Sequence, residues 1–334
     1  MASSPRARTF ALLSLAGGLL AAVLVGEVGL RLLGRGPALP KTHPNEPVML
    51  EADSVLGWRN RPGTYAYPGY VRGAPEVRVT IGPDGTRATA SAPVARGDVV
   101  DLLGCSFTFG WALSDGRTLA WNLQQALPDL EIRNHGTPAY GTLQSLMALE
   151  ALLAAGRVPR LVVYDLAELH ALRNVAAAEW LRNLAATRAR NHVSVPYATM
   201  ENGRLVRHPP EAIPVVPLAD TSAILGRVQN ALIHWRARGR AGQRRAVTEA
   251  LLREMRDVVE KGHSRLLVAW LAHVPDTEEP YLPFLRREGF AVVDCRTPEF
   301  SHAKVAGEGH PDGQVNTRWA ECLAPAIRAE LARN

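Results

Sequence analysis

Lysine is close to absent from this chain. It occurs only at Lys41, Lys261 and Lys304, so arginine supplies almost all the positive charge behind the net +6. The arginines are scattered. The one dense run, WRARGRAGQRR (Trp235–Arg245), holds a single aromatic, and there is no longer basic stripe with interleaved aromatics. That argues against nucleic acid as a partner. Cysteine is as sparse: Cys105, Cys295 and Cys322 lie far apart, with no CxxC pair to suggest a metal or redox centre. An odd count leaves at least one thiol free, and Cys295 and Cys322 read as small buried apolar residues. His302, His310 and Asp312 lie close in sequence, but at spacings that fit no regular zinc pattern. No metal and no cofactor is expected. Internal repeats and low-complexity tracts are also lacking. Charged residues make up 21% of the 334 residues and apolar residues 47%. That balance excludes wholesale disorder and suffices for an α/β domain with additions.

Long apolar runs are scarce, with one exception. FALLSLAGGLLAAVLVG, from Phe10 to Gly26, has seventeen uncharged residues, follows Arg6 and Arg8, and ends at Glu27. It is at the short end for a span, exceeds most signal-peptide cores, and no Ala-x-Ala cleavage site follows. The reading is an uncleaved signal-anchor, with a cleaved signal and a buried core helix as alternatives. Positive residues ahead of the span put the N-terminus in the cytoplasm, although Arg31 and Arg35 beyond it blur that rule. The expected location is therefore the cell membrane, single-pass, with the bulk of the chain facing the periplasm or exterior.

Three regions follow from the pattern. Residues 1–36 are the anchor. Residues 37–96 are a Pro-rich linker (Gly36–Pro47) followed by a small β element, signalled by the alternation in EVRVTI and the turn GPDG. Residues 97–334 alternate strand and helix: DVVDLLG, TLAWNLQQAL, LEIRNHG, GTLQSLMALEALLAAG (stopped by Gly156) and RLVVYDL, then a helix over 243–261, RLLVAWL and AVVDC. This rhythm predicts a parallel sheet with helices on both faces and ligands at the strands' carboxyl ends. An insertion at about 170–240, Pro-rich and expected to be irregular, interrupts it as a lid, a substrate cap or mere decoration.

At the first such strand end stands DLLGCSFTFGW (Asp101–Trp111). A strand running into Gly-Cys-Ser exposes Ser106 and leaves backbone N–H groups free beside it. A serine hydroxyl needs a base to take its proton and donors to hold the oxyanion. RNHGTPAYGT (Arg133–Thr142), after the second strand, can point a main-chain N–H toward the serine. Near the C-terminus, GEGHPDGQVNTRWAECL places His310 in a polar turn, two residues after Glu308. A histidine held by a carboxylate is the usual base for a serine nucleophile.

Taken together, these blocks resemble the SGNH/GDSL hydrolases, over roughly Asp98 to Leu331. LLGCSFTFGWALSD is similar to the first block, RNHGTPAYGTLQS to the second block of the membrane-anchored bacterial branch, and GEGHPDGQVNTRWAECL to the last. LGWRNRPG is similar to a segment that often precedes the first block in that branch. The resemblance implies a flavodoxin-like three-layer α/β/α fold and acyl-ester hydrolysis or acyl transfer. Ser106 would be nucleophile and oxyanion donor, His310 the base and Glu308 its orienting acid. Ala139 would stand where the second block has glycine. Cys105 replaces the usual Asp, which opens a minor reading with the thiol as nucleophile. The third-block asparagine is missing. His170 falls near its place as a candidate oxyanion donor, or as a structural histidine, and Asn174 comes a little later. The expected function is a membrane-anchored serine esterase or O-acyltransferase acting on an acylated envelope glycan or lipid. The alternative is a catalytically degenerate domain that binds a glycan or a partner in envelope assembly.

Overall fold

The computed structural model describes residues 5–37, 46–92, 97–186, 194–272 and 281–333. Residues 38–45 of the expected linker lie outside them. The chain opens with helix α1 (Pro5–Leu32), which is long and apolar enough to cross a membrane. Two antiparallel hairpins follow, β1 (Leu50–Asp53) with β2 (Gly57–Asn60) and β3 (Gly63–Tyr67) with β4 (Val77–Ile81).

The main sheet is built from β5 (Val99–Leu103), β6 (Glu131–Asn134), β7 (Leu161–Ala167), β10 (Arg265–Ala272) and β11 (Ala291–Asp294). All pairings are parallel, in the order β11-β10-β7-β5-β6. Between these strands run α2 (Ser106–Phe109), α3 (Leu119–Ala126), α4 (Thr142–Ala154), α5 (His170–Asn174), α6 (Ala178–Ala185), the hairpin β8 (Ser194–Glu201) and β9 (Arg204–Ala212), α7 (Ala223–Arg236), α8 (Arg244–Lys261) and α9 (Tyr281–Arg287). Helix α10 (Gly313–Leu331) closes the chain.

Each central strand is apolar on both faces, as a sheet covered by helices requires. On β7, Leu161 and Val163 join a core with α3 and α10, while Val162, Tyr164 and Leu166 join a second core with α4, α8 and α9. The alternation at period two divides the molecule into three layers, α/β/α. The strand order is that of doubly wound flavodoxin-like sheets. The chain leaves β5 for β6 on one side and then crosses to β7 on the other. This reversal opens a crevice at the carboxyl end of β5, where Ser106 lies.

Two expectations need correction. The described part of the insertion is largely regular, with 187–193 outside the described residues and 213–222 without helix or strand: β8 and β9 form a hairpin, flanked by helices. Its turn is Asn202-Gly203, both in the left-handed region (φ +51° and +77°), the geometry of a tight hairpin turn. Pro196, Pro209 and Pro210 are tolerated because a two-stranded ribbon leaves half of each strand's N–H groups unpaired. Nor are Cys295 and Cys322 independent apolar residues. They form a disulfide, Cα atoms 5.7 Å apart, that ties the end of β11 to α10. Cys105 is free and buried.

Candidate active site

The serine turn begins where β5 ends. Gly104 follows the strand, and a Cβ there would fall 2.1 Å from Thr108 Oγ1, so only glycine lets the chain turn so tightly. Cys105, in extended conformation, precedes α2, with Ser106 as its first residue. The N–H groups of a helix's first turn have no acceptor inside the helix, so donors stay free around the serine.

Remote groups hold this turn. The Arg87 guanidinium is fully buried; it donates to the carbonyls of Phe109 (2.9 Å), Gly110 (2.6 Å) and Leu113 (2.5 Å), and pairs with Asp115 at 3.1 Å. It thereby satisfies the carbonyl end of α2, and losing such a buried pair costs roughly 3–5 kcal/mol. The Asn134 side chain donates to the Thr108 carbonyl at 2.9 Å and accepts from the Gly136 N–H.

Across 204 residues of sequence, His310 Nε2 lies 2.9 Å from Ser106 Oγ. His310 Nδ1 lies 2.8 Å from both Glu308 carboxylate oxygens, and the His310 main-chain N–H donates to Oε2 at 2.8 Å. A carboxylate on Nδ1 places the imidazole proton there and leaves Nε2 to accept from the serine hydroxyl. Burial would raise the Glu308 carboxyl, but the hydrogen bonds and charge of His310, with a bond from Trp111, outweigh it and hold the group below its ordinary range. Glu308 thus stays ionised as pH falls, as an orienting acid should. The His310 loop is pinned by Asp312, whose carboxylate caps α10 through the Gln314 and Val315 N–H groups. Phe107 packs edge-on against His310 and also touches Phe300 and Trp319, walling one side of the pair.

The loop after β6 brings up Ala139, which is buried with φ +71°. A left-handed alanine is uncommon and costs energy, and it takes up the conformation a glycine would adopt freely. The segment LGWRN supports this loop. Trp58 Nε1 donates to the Pro138 carbonyl at 2.9 Å, Asn60 donates to the Gly136 carbonyl at 2.9 Å, and the Tyr140 hydroxyl donates back to the Trp58 carbonyl. From α5, Arg173 donates to the Tyr140 carbonyl at 2.7 Å, with its charge beside Cys105.

His170 lies at the start of α5. It is fully buried, with Nδ1 2.8 Å from the Tyr164 hydroxyl, and no hydrogen bond joins it to Ser106 or His310. Burial, with the Arg173 charge, pushes its pKa well down, so it stays neutral. The tie to Tyr164 fits the structural expectation, while Nε2, buried and without a hydrogen-bond partner among the described residues, is the atom on which the donor expectation rests. Asn174 is also occupied: it bonds the Thr142 and Thr248 hydroxyls and accepts from the Leu143 N–H. Cys105 is only 1% exposed, which closes its thiol to a substrate. Asp165 lies fully buried on β7 near Thr108, and burial pushes its carboxyl up to about 7.

Sequence reasoning missed Arg87, Trp58, Asn60, Tyr140 and Arg173. Trp58 and Asn60 carried a signal in LGWRNRPG and Tyr140 in RNHGTPAYGT, but none of the three was given a role.

No family model matches the sequence, and no curated protein does. Solved structures do resemble the fold. A member of the lipolytic protein G-D-S-L family from Veillonella parvula is 9% identical, covering 69% of this chain and 98% of its own, with a TM-score of 0.41. The C-terminal catalytic domain of Streptococcus pneumoniae peptidoglycan O-acetyltransferase A is 12% identical, covering 71% and 96%, with a TM-score of 0.33. The esterase domain of a Rhodothermus marinus protein is 12% identical, covering 81% and 99%, with a TM-score of 0.28. These likenesses are distant, and function has to be read from the atoms of the site.

Proposed function

We propose that this chain is a membrane-anchored serine acyl hydrolase or O-acyltransferase of the SGNH/GDSL kind, acting on an acylated envelope glycan or lipid. One observation carries the reading: Ser106 Oγ, His310 Nε2 and the Glu308 carboxylate form a continuous hydrogen-bonded chain at 2.9 and 2.8 Å. In this reading Ser106 attacks the acyl carbonyl as His310 takes its proton. The N–H groups of Ser106 and Ala139 hold the oxyanion. His310 then protonates the leaving alkoxide, and the acyl-serine passes its acyl group to water or to a sugar hydroxyl. Counted without His170, the oxyanion has two backbone donors, and one missing donor costs roughly 10²–10³-fold in rate.

The anchor reading assigns residues 1–36 to the membrane and the rest to the periplasm or exterior. The apolar length of α1 supports it, and so does the Cys295–Cys322 disulfide, a bond that persists in oxidising compartments. An outward-facing, tethered enzyme meets acylated glycans and lipids first.

A second reading, a degenerate binding module, draws on the absence of a third-block asparagine, since Asn174 is spent on structure. Hydrolysis of 4-nitrophenyl acetate and longer esters by the detergent-solubilised chain separates the two. The enzyme reading predicts turnover that Ser106→Ala lowers by roughly 10³-fold or more. Turnover equal in both proteins, or absent from the folded wild type, would favour the binding module.

A further inference from the structure

Helix α7, in the insertion, has an uncovered apolar face. Val228, Leu232 and Trp235 follow one another at i, i+4 and i+7 and are 44%, 42% and 62% exposed. Ala231 lies on the same stripe and is exposed. The opposite face is spent on the protein, where Ile233 is fully buried in the cluster that includes Tyr197 and Ala139. Such a stripe on a soluble surface needs an occupant.

The page supplies one. The stripe begins, one turn earlier, at Ile224, whose Cδ1 lies within van der Waals range of a Cβ built on Gly26 of α1. Gly26 is the last residue of the apolar run, and Glu27 the first charge after it. Glu27 caps α7, accepting from Ser222 Oγ (2.9 Å) and from the N–H groups of Ala223 (2.8 Å) and Ile224 (3.1 Å). Arg31 adds a bond to the Thr221 carbonyl at 2.6 Å. The membrane edge of α1 is thus fastened to the first turn of α7, and the apolar face that meets α1 there continues outward uncovered. Arginines flank it, Arg227 on one side and Arg236, which also donates to the Ala212 carbonyl at 3.3 Å, on the other, and Arg238 follows just past the helix end. Arg227 and Arg238 have no ion-pair partner among the described residues. An apolar stripe with a tryptophan, bordered by arginines, is the composition of a helix lying in a bilayer interface beside anionic headgroups.

We infer that α7 lies in the membrane surface next to α1, with Val228, Leu232 and Trp235 in the headgroup–acyl boundary and the flanking arginines on anionic lipid phosphates. This rests on α1 spanning the bilayer but not on the chemistry at Ser106. The α7 contact then fixes the orientation of the globular part above the membrane.

The test uses the full chain in vesicles of phosphatidylcholine and phosphatidylglycerol whose acyl chains are brominated near the headgroup. The emission of Trp235 is the difference between wild type and Trp235→Phe, and alkaline carbonate extraction of the same vesicles reports separately whether α1 is inserted. The expected result is a carbonate-resistant protein whose Trp235 difference emission is blue-shifted and quenched by the brominated lipid, with the quenching lost in Leu232→Asp. A carbonate-resistant protein with unquenched Trp235 emission would overturn the inference while leaving the anchor intact. Extraction by carbonate would overturn both.

Discussion

Ala139 shows how a single residue links strain to chemistry. Its φ of +71° is held at an energetic cost that glycine would not incur, in the loop proposed to supply an oxyanion donor. The left-handed conformation costs an L-residue roughly 1–2 kcal/mol. Glycine would remove that cost and add about 0.5–1 kcal/mol of chain entropy to the unfolded state. The near-balance yields a prediction: Ala139→Gly should leave the melting temperature unchanged or slightly raised and keep esterase kcat/KM within a few-fold of wild type. Thermal melts and steady-state rates check this, and a fall of several degrees would show that the alanine is not strained. Cys105, one residue before the serine, now has a partial physical account. It is buried against the apolar core on the α10 side of the sheet, where a thiol packs without the desolvation cost of a carboxylate. The Arg173 charge lies beside it.

Among the elements, the loop from β11 to α10 governs the base. It carries Glu308 and His310, and the Cys295–Cys322 bond closes it at a sequence separation of 27. A closed loop of that length stabilises by roughly 3–4 kcal/mol through the entropy of the unfolded chain. At roughly 2–4 °C per kcal/mol for a domain of this size, reduction should lower the melting temperature by about 6–16 °C. Differential scanning calorimetry with and without dithiothreitol reads this, and an unchanged midpoint would show that the bond carries no stability. The regular elements were largely legible beforehand. Buried strands in this sheet are short apolar runs, and the helices have amphipathic faces, so β5, β6, β7, β10, β11, α3, α4 and α8 fall where the pattern places them. The β8–β9 hairpin was missed because its prolines outweighed the Asn202-Gly203 turn signal. The disulfide was missed because sequence distance says nothing about which strand end meets which helix.

At the scale of the whole molecule, the parallel sheet gathers groups from far apart in sequence at one crevice. Ser106, the 136–140 loop and His310 come from the ends of β5, β6 and β11, and these were legible as short motifs. Their supports were not. Arg87, Trp58, Asn60 and Arg173 act through backbone carbonyls, which accept from any donor, so that even LGWRNRPG, which stands out, does not reveal what Trp58 and Asn60 hold. His170 stayed open between two readings for the same kind of reason, since its position near the third block could not reveal that Tyr164 holds its ring. The central claim is that His310 activates Ser106 within this assembled crevice. A fluorophosphonate probe applied to the folded full-length protein in detergent, with the adduct located by mass spectrometry, addresses it directly. The adduct should sit on Ser106 and be lost in both Ser106→Ala and His310→Ala. A folded wild type that takes no probe, or one labelled equally well without His310, would contradict it.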